Sequence, residues 1–508
     1  MSGKTKRIWA LLLATYIGVW LLASWLRSPS LDSYGDMVEN YAWGQTWEWG
    51  SFKHPPLFAW LVRLWFSVFP TEVWAYYLLS YTNAAIGALG IAALAALWLP
   101  QPGGQRNNAL LLALLFALGG FPYANLAGKF NADTVLLSLW PWTAYAYFRA
   151  ARPGAAYGWC VALGALAAAA MLGKYFSGVL LASLFLISLA RPWRSWYADR
   201  RPYLALAVFI LLLAPHLAWE WSNDFPFRYY LSGKFAGGDG TARRTSFILS
   251  AFYYWCVPWL ACAWLWRRLP RQATPCPTLP TAPLVALTLF PATITLMLHL
   301  LLGIHLTTHW AIPLWFALPA LLALWLAPRL PEASLWPQLR RPLAALALLI
   351  LAGNALYASQ AALRGKASYY YSRQALVAAV EAAFAERHPG ATLQWVGGTW
   401  AESASFAFFS PTHPRALPGV PDAMPALVNP HPTWAREHGA ILCTGTYGTG
   451  HDVACEAQAE RWLQARGISA QRQEIPYRAQ GWRYPRPQEK LAVVYWVAPS
   501  ITNPTSHD

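Results

Sequence analysis

Charge is scarce in this sequence, and acidic charge scarcer still. Only 12% of the 508 residues are Asp, Glu, Lys or Arg, with 22 acids against 38 bases, where a soluble chain carries about 25% charged residues. That scarcity, with 56% hydrophobic residues, excludes both a single soluble globule and a disordered chain. The 6 cysteines include no C-x-x-C spacing, so a structural zinc site is not expected. No internal repeat occurs, and no low-complexity run beyond Ala/Leu-rich apolar stretches. The net charge of +16 forms no continuous patch. Basic residues punctuate the apolar runs, which reads as membrane topology and not as a nucleic-acid footprint.

What the sequence has in abundance is long apolar runs. They fall at 8–26, 74–99, 108–124, 133–148, 156–172, 175–190, 203–219, 247–266, 283–302, 308–327 and 342–360. A bilayer takes roughly 20 residues per helix, and its interior leaves backbone amides no partner outside their own chain. The fold class expected is therefore a polytopic α-helical membrane protein of about 11 transmembrane helices. With Lys4, Lys6 and Arg7 placed in the cytoplasm, the links on that side hold Arg106, Arg149, Arg152, Arg191, Arg194, Arg200, Arg201, Arg267, Arg268, Arg271, Arg329, Arg340 and Arg341. Only Asp199 and Glu332 accompany them. The opposite links carry Asp32, Asp36, Glu39, Glu48, Glu72, Asp133, Glu220, Asp224 and Asp239. This is a positive-inside bias with one consistent orientation. Leu22-Ala23-Ser24 resembles a signal-peptide cut site, but with many spans following, the first helix is expected to stay uncleaved.

Residues 1–360 are read as the membrane domain, with a first outer loop at 27–73, and residues 361–508 as an extracytoplasmic α/β domain. In that tail Ser372–Arg387 and Glu456–Arg466 read as helices, and Leu393–Val396, Ala440–Thr444 and Leu491–Val497 as strands. Cys443 and Cys455 both lie there, either as a disulfide or as two buried thiols. His388, His413, His431, His438 and His451 have no metal-ligand spacing. Trp395, Trp400, Glu402 and Trp434 could stack on sugars, although aromatics in a small α/β domain are more often core.

Polar residues gather on the outer side. Asp36 and Glu39 are three apart, so a helix puts them on one face. Tyr41, Trp43, Trp47 and Trp49 suit a helix at the membrane–water interface, and His54-Pro55-Pro56 forces an extended elbow. Taken alone, the loop reads as an aromatic anchor with solvated acids. It is joined by Lys53, Lys129, Asn131, Asp133, Lys174, Tyr175, Glu220, Arg228, Lys234, His305 and His309. Charges at membrane depth cost roughly 2.5–3.5 kcal/mol each; one lysine can snorkel, but a set on one side reads as a polar cavity. Acids and cations together at a membrane surface suit sugar transfer from a lipid-linked phosphate. A carboxylate (Asp36) would deprotonate or steer the acceptor. Cations (Lys174 with Lys53, His54, Arg228 or Lys234) would hold the departing phosphate.

These residues carry a resemblance. Asp36-Met37-Val38-Glu39-Asn40-Tyr41-Ala42-Trp43 and Trp49-Gly50-Ser51-Phe52-Lys53-His54-Pro55-Pro56-Leu57-Phe58-Ala59-Trp60 are similar to a D-E-A-x-Y-W-x-W…W-G-Y-x-D-H-P-P-L-x-A-W pattern. Asn131-Ala132-Asp133, Gly173-Lys174-Tyr175 (as S-K-Y), Pro215-His216-Leu217-Ala218-Trp219-Glu220 (as P-x-x-x-W-N) and His309-Trp310-Ala311-Ile312-Pro313 (as N-W-x-x-P) follow in order. Over residues 30–320 the chain resembles bacterial GT-C glycosyltransferases of the dolichyl-phosphate-mannose protein mannosyltransferase superfamily, including lipid A aminoarabinose transferase-like proteins. The resemblance implies a GT-C fold in a bacterial inner membrane, with site and C-terminal domain periplasmic. It implies inverting transfer from a polyprenyl-phosphate sugar to a glycolipid such as lipid A, a polysaccharide or a protein. Met37 replaces the second acid of the usual pair, Lys53 the acid before His-Pro-Pro, and Glu220 the usual Asn. No cofactor is certain; a divalent cation would have to recruit Glu39 beside Asp36. The expected catalytic residues are Asp36 and Glu39. The expected substrate-binding residues are Lys53, His54, Lys129, Asp133, Lys174, Tyr175, Glu220, Arg228, Lys234 and His309. The competing classes are a polyprenyl-linked glycan transporter or flippase, and a non-catalytic scaffold.

Overall fold

The computed structural model describes residues 3–28, 30–99, 103–228, 232, 240–269, 281–304, 306–366, 368–370, 372–418, 436–445, 450–481 and 484–499. The chain forms two compact units: Met1–Leu21, Trp49–Phe58 and Tyr77–Leu349 in the first, and Leu22–Glu48, Ala59–Tyr76 and Ile350–Asp508 in the second. Residues 22–48 and 59–76 thus belong with the unit that holds the C-terminal domain.

Helices in chain order up to residue 363 are α1 (Gly3–Arg27), α2 (Asp36–Gly44), α3 (Leu57–Phe66), α4 (Val73–Ala96), α5 (Gly104–Gly119), α6 (Leu136–Ala150), α7 (Tyr157–Gly173), α8 (Gly178–Ser188), α9 (Arg201–Ser222), α10 (Gly240–Tyr253), α11 (Cys256–Arg268), α12 (Ala282–Leu302), α13 (Leu318–Leu326) and α14 (Trp336–Leu363). Every apolar run of the sequence carries helix. Among the described residues five helices, α1, α4, α9, α12 and α14, are by themselves long and apolar enough to cross a membrane. Three runs are not single helices. Residues 175–190 open with a 3-10 turn (Tyr175–Ser177) before α8, and 247–266 breaks between α10 and α11. Residues 308–327 begin with a 3-10 turn at Thr308–Ala311 and become α-helical only at Leu318. Pro313 and Pro319 lie in that stretch, and a proline offers no backbone N–H to a preceding turn.

One polar contact between helices fixes the surroundings of the site. The Asn83 amide in α4 donates to the Thr134 carbonyl (2.8 Å) and accepts from Ser138 Oγ in α6 (2.6 Å). Buried amide bonds of this kind pin the start of α6, because no water competes for them.

In the second unit, α15 (Arg373–Arg387), α16 (Trp400–Phe409) and α17 (Val453–Ala465) pack with a five-stranded sheet of order β2-β1-β3-β5-β4. Its strands are β1 (Trp395–Gly398), β2 (Arg415–Pro418), β3 (Gly439–Cys443), β4 (Ala470–Gly481) and β5 (Tyr484–Val497). β1 pairs parallel with β2 and β3, whereas β3–β5 and β5–β4 are antiparallel. Strand alternation divides the core in two. Ala440, Leu442, Val494 and Trp496 face Leu376, Val380, Phe384 and Phe406. Ile441, Cys443, Val493 and Tyr495 face Cys455, Ala459 and Leu463. Cys443 and Cys455 form a disulfide, with Cα atoms 5.6 Å apart. Trp395 is wholly buried and belongs to the core; Trp434 lies outside the described residues. The sequence reading did not include α16, β2 or β4.

Candidate active site

Within the first unit, the local sequence Lys129-Phe130-Asn131-Ala132-Asp133-Thr134 folds into a self-bonded turn ahead of α6. Asn131 Oδ1 accepts from the N–H groups of Asp133 (3.0 Å) and Thr134 (3.1 Å). Thr134 Oγ1 accepts from Asn131 N (2.9 Å) and donates to the Lys129 carbonyl (2.8 Å). This is the work Asn and Thr side chains do at helix starts, and it fixes Asp133. Lys174 comes to it from a helix break. α7 ends at Gly173, and Lys174 itself is extended (φ −167, ψ 134) before the 3-10 turn begins. Lys174 Nζ donates to Asp133 Oδ1 at 2.5 Å, with 9% and 13% of the two side chains exposed. The Trp310 ring lies 5.9 Å from the ammonium. An ammonium has three donors, and Asp133 engages one.

The neighbouring residue, Tyr175, enters a second cluster. Its hydroxyl donates to Glu220 Oε1 at 2.6 Å and stands 2.7 Å from His216 Nε2. His216 and Glu220 are both buried, one turn apart on α9. His216 Nδ1 meets the Trp49 carbonyl at 2.6 Å, and a carbonyl only accepts, so Nδ1 carries hydrogen. The two contacts of the tyrosine hydroxyl need two protons, and the hydroxyl supplies one. The same face of α9 seats the backbone of the Trp49-Gly50 loop: a Cβ on Gly50 would stand 2.4 Å from the Trp219 ring, so only glycine permits this approach. Beyond it, Ser51 closes a turn around Lys53 and His54. Its Oγ accepts from their N–H groups (3.3 and 3.0 Å) and donates to the His54 carbonyl (3.0 Å). Pro55 and Pro56 then form the expected elbow into α3.

In the second unit, Asp36 and Glu39 fall in the first turn of α2, as the spacing predicts. Glu39 is buried and Asp36 half-buried. Of the four aromatics expected on one interfacial helix, Tyr41 and Trp43 fall within α2 and Trp47 and Trp49 follow it. α2 ends at Gly44, and Tyr41 packs edge-on against Phe66 and Phe408 (5.5 and 5.1 Å). Trp43 meets Trp400 in the same way (5.4 Å). Tyr41 is core because the unit provides rings around it, a partner set that the loop sequence alone does not display. In the same unit Glu402 is buried at the start of α16. Thr399 Oγ1 donates to its Oε2 (3.0 Å), and burial pushes its carboxyl up to about 8.

The structure brings Asp133 to Lys174 and Tyr175 to Glu220. Arg228 is half-exposed, with its guanidinium 3.7 Å from Asp224, and His309 is exposed on its 3-10 turn. Lys129 is half-buried, its carbonyl held by Thr134. Lys234, like His305, lies outside the described residues. Sequence reasoning did not assign His216 or Trp310. For His216 the signal was its four-residue spacing from Glu220, which sets both on one helix face. Among the described residues no group of three or more His, Cys, Asp or Glu could hold a metal ion.

Residues 53–219 match the family model for dolichyl-phosphate-mannose-protein mannosyltransferase. The chain superposes on the crystal structure of ArnT from Cupriavidus metallidurans bound to undecaprenyl phosphate. The TM-score is 0.56 and the identity 16%, over 98% of this chain and 99% of that one. The apo structure of the same ArnT gives a TM-score of 0.57 at 15% identity, over 97% and 98%. The chain has a GT-C fold. At such identities the structural likeness shows the fold alone. No curated protein matches the chain by sequence. The family-matched segment, about a third of the chain, includes Lys53, His54, Lys129, Asp133, Lys174 and Tyr175. It ends one residue before Glu220 and does not reach Asp36.

Proposed function

We propose that this GT-C-fold protein is a membrane glycosyltransferase that moves a sugar from a polyprenyl-phosphate donor to an acceptor at the periplasmic face of a bacterial inner membrane. The observation that carries the reading is Lys174. It is a cation held at a helix break in an apolar unit, and among the described residues its ammonium, which has three donors, is paired with one carboxylate. A polyprenyl chain cannot leave the bilayer, since each buried CH₂ contributes about 0.8 kcal/mol. The phosphate must therefore be met where the lipid is. In the reaction the acceptor hydroxyl gives its proton to the Asp36 carboxylate, and its oxygen forms a bond to the anomeric carbon. The bond from that carbon to the phosphate oxygen breaks, and its electron pair leaves with polyprenyl phosphate. Attack opposite the leaving group inverts the anomeric centre. Lys174 stabilises the charge that develops on the phosphate, with Lys53 and His54 as further donors from their turn. The acceptor is a glycolipid such as lipid A, a polysaccharide or a protein.

One observation favours a second reading. Lys174 stands between two helical segments, and interrupted helices near the midplane hold substrates in transporters. A single experiment separates the two. Purified protein in vesicles is given a panel of undecaprenyl-phosphate sugars, with release of undecaprenyl phosphate and movement of labelled lipid between leaflets followed together. Release with an acceptor present supports the transferase; leaflet exchange without release supports the flippase.

A further inference from the structure

Arg373, the first residue of α15, is 1% exposed. Its guanidinium reaches back 341 residues in the chain to grip a loop backbone. Nη1 donates to the carbonyls of Ser30 (2.9 Å) and Asp32 (2.6 Å), and Nη2 to that of Ser33 (3.3 Å). Between the gripped carbonyls Leu31 is held at φ 65, a conformation costing an L-residue roughly 1–2 kcal/mol. The carboxylate of Asp32 then takes over. Oδ2 accepts from the N–H groups of Gly35 (2.9 Å) and Asp36 (3.1 Å), and Oδ1 from that of Met37 (2.9 Å). Gly35 sits at φ 96, and a Cβ there would stand 2.6 Å from that of Ala401 and 3.4 Å from Arg373 Nη2. The first turn of α2 is thus fixed on one side by Asp32 and on the other by α16, and Asp32 is fixed in turn by Arg373.

A helix start needs no such device. A local Asp cap suffices, and a buried cation adds little to stability that an apolar residue of similar size would not. What a planar fork on three carbonyls supplies is geometry. We infer that Arg373 is a positioning residue: through the loop at 30–33 and the Asp32 cap, the C-terminal domain sets the orientation of the helix turn that carries Asp36. The inference rests on the proposed role of Asp36 as the acceptor-directed carboxylate.

The test uses full-length protein in detergent and whichever undecaprenyl-phosphate sugar of the panel turns over. Arg373→Ala lowers kcat by about a hundredfold, the scale of a misplaced reacting group, while KM for the donor changes by less than about threefold. Hydrogen exchange at Gly35, Asp36 and Met37 accelerates while amides of β3 and β5 keep their protection. Added guanidinium ion restores part of kcat, which a loss of folding would not allow. Asp32→Ala, which leaves Arg373 in place, reproduces both the exchange and the kcat effects. Wild-type kcat in Arg373→Ala, or exchange rising equally in the sheet, overturns the inference. The two claims fail separately: an active Asp36→Asn sinks the role of Asp36, and an inactive Asp36→Asn beside a fully active Arg373→Ala sinks only the role of Arg373.

Discussion

The Lys174–Asp133 pair gives the sharpest separation of architecture from chemistry. Both side chains are nearly enclosed, at 9% and 13% exposure, and meet at 2.5 Å. Removing one partner of such a pair leaves an uncompensated charge and costs about 3–5 kcal/mol; replacing both with apolar residues of similar size is about neutral, or stabilising by 1–4 kcal/mol. Lys174→Met and Asp133→Leu should therefore each lower the thermal midpoint of the purified protein, and the double variant should recover it. Donor engagement should behave differently. A charge-assisted contact to phosphate contributes about 1.5–3 kcal/mol, or roughly ten- to a hundredfold in apparent affinity. The double variant should thus fold like the wild type and still bind the lipid-phosphate sugar that much more weakly. The assay is donor-dependent release of polyprenyl phosphate alongside a melting curve. A double variant with wild-type stability and wild-type donor affinity would refute the phosphate role and leave the pair a packing device.

Other outcomes follow from buried groups elsewhere in the protein. Burial pushes the Glu402 carboxyl up to about 8, so between about pH 4.5 and 8 the folded state keeps a proton that the unfolded chain has released. Stability of the second unit then falls with rising pH, by an order of about 5 kcal/mol once pH exceeds 8. Glu402→Gln, which can still pair with Thr399, should flatten that dependence in sheet hydrogen exchange; equal exchange in variant and wild type at pH 8.5 would contradict it. Tyr175→Phe breaks the link between His216 and Glu220 and should cost about 1–3 kcal/mol through unpaired buried polar groups, and an unchanged thermal midpoint would show the cluster to be open. Replacing Cys443 and Cys455 together by Ser releases a loop with a sequence separation of 12 and should destabilise the C-terminal domain by about 3 kcal/mol, read as earlier loss of β3 and β5 protection. Retained protection would argue against the bridge.

The membrane half was legible because its physics is one-dimensional. A run such as 203–219 has no alternative to helix in hydrocarbon, and it becomes α9 with little adjustment. Where prolines intervene, as between Thr308 and Leu318, the same reasoning overstated the helix. The site was legible as far as spacing reports on a single element. Asp36 and Glu39 share the first turn of α2, and Lys174-Tyr175 marks a helix break. It was not legible where a partner arrives from distant sequence. Nothing near Arg373 announces that its side chain will cap a loop 341 positions earlier, and nothing near Tyr41 announces that Phe66 and Phe408 will pack around it. In the C-terminal domain the apolar strands β1, β3 and β5 announced themselves in part. Edge strand β4 reads Ala470-Gln471-Arg472-Gln473-Glu474 at its start, too polar for a hydrophobic pattern.

The central claim is that a carboxylate in the first turn of α2 directs an acceptor onto a lipid-phosphate sugar. Asp36→Asn keeps the size of the side chain and its backbone N–H to Asp32, and removes only the charge. Single-turnover release of undecaprenyl phosphate, measured at saturating donor, should fall in this variant by about a hundredfold or more, the share general-base assistance supplies, with donor binding unchanged. Release at the wild-type rate would contradict the account.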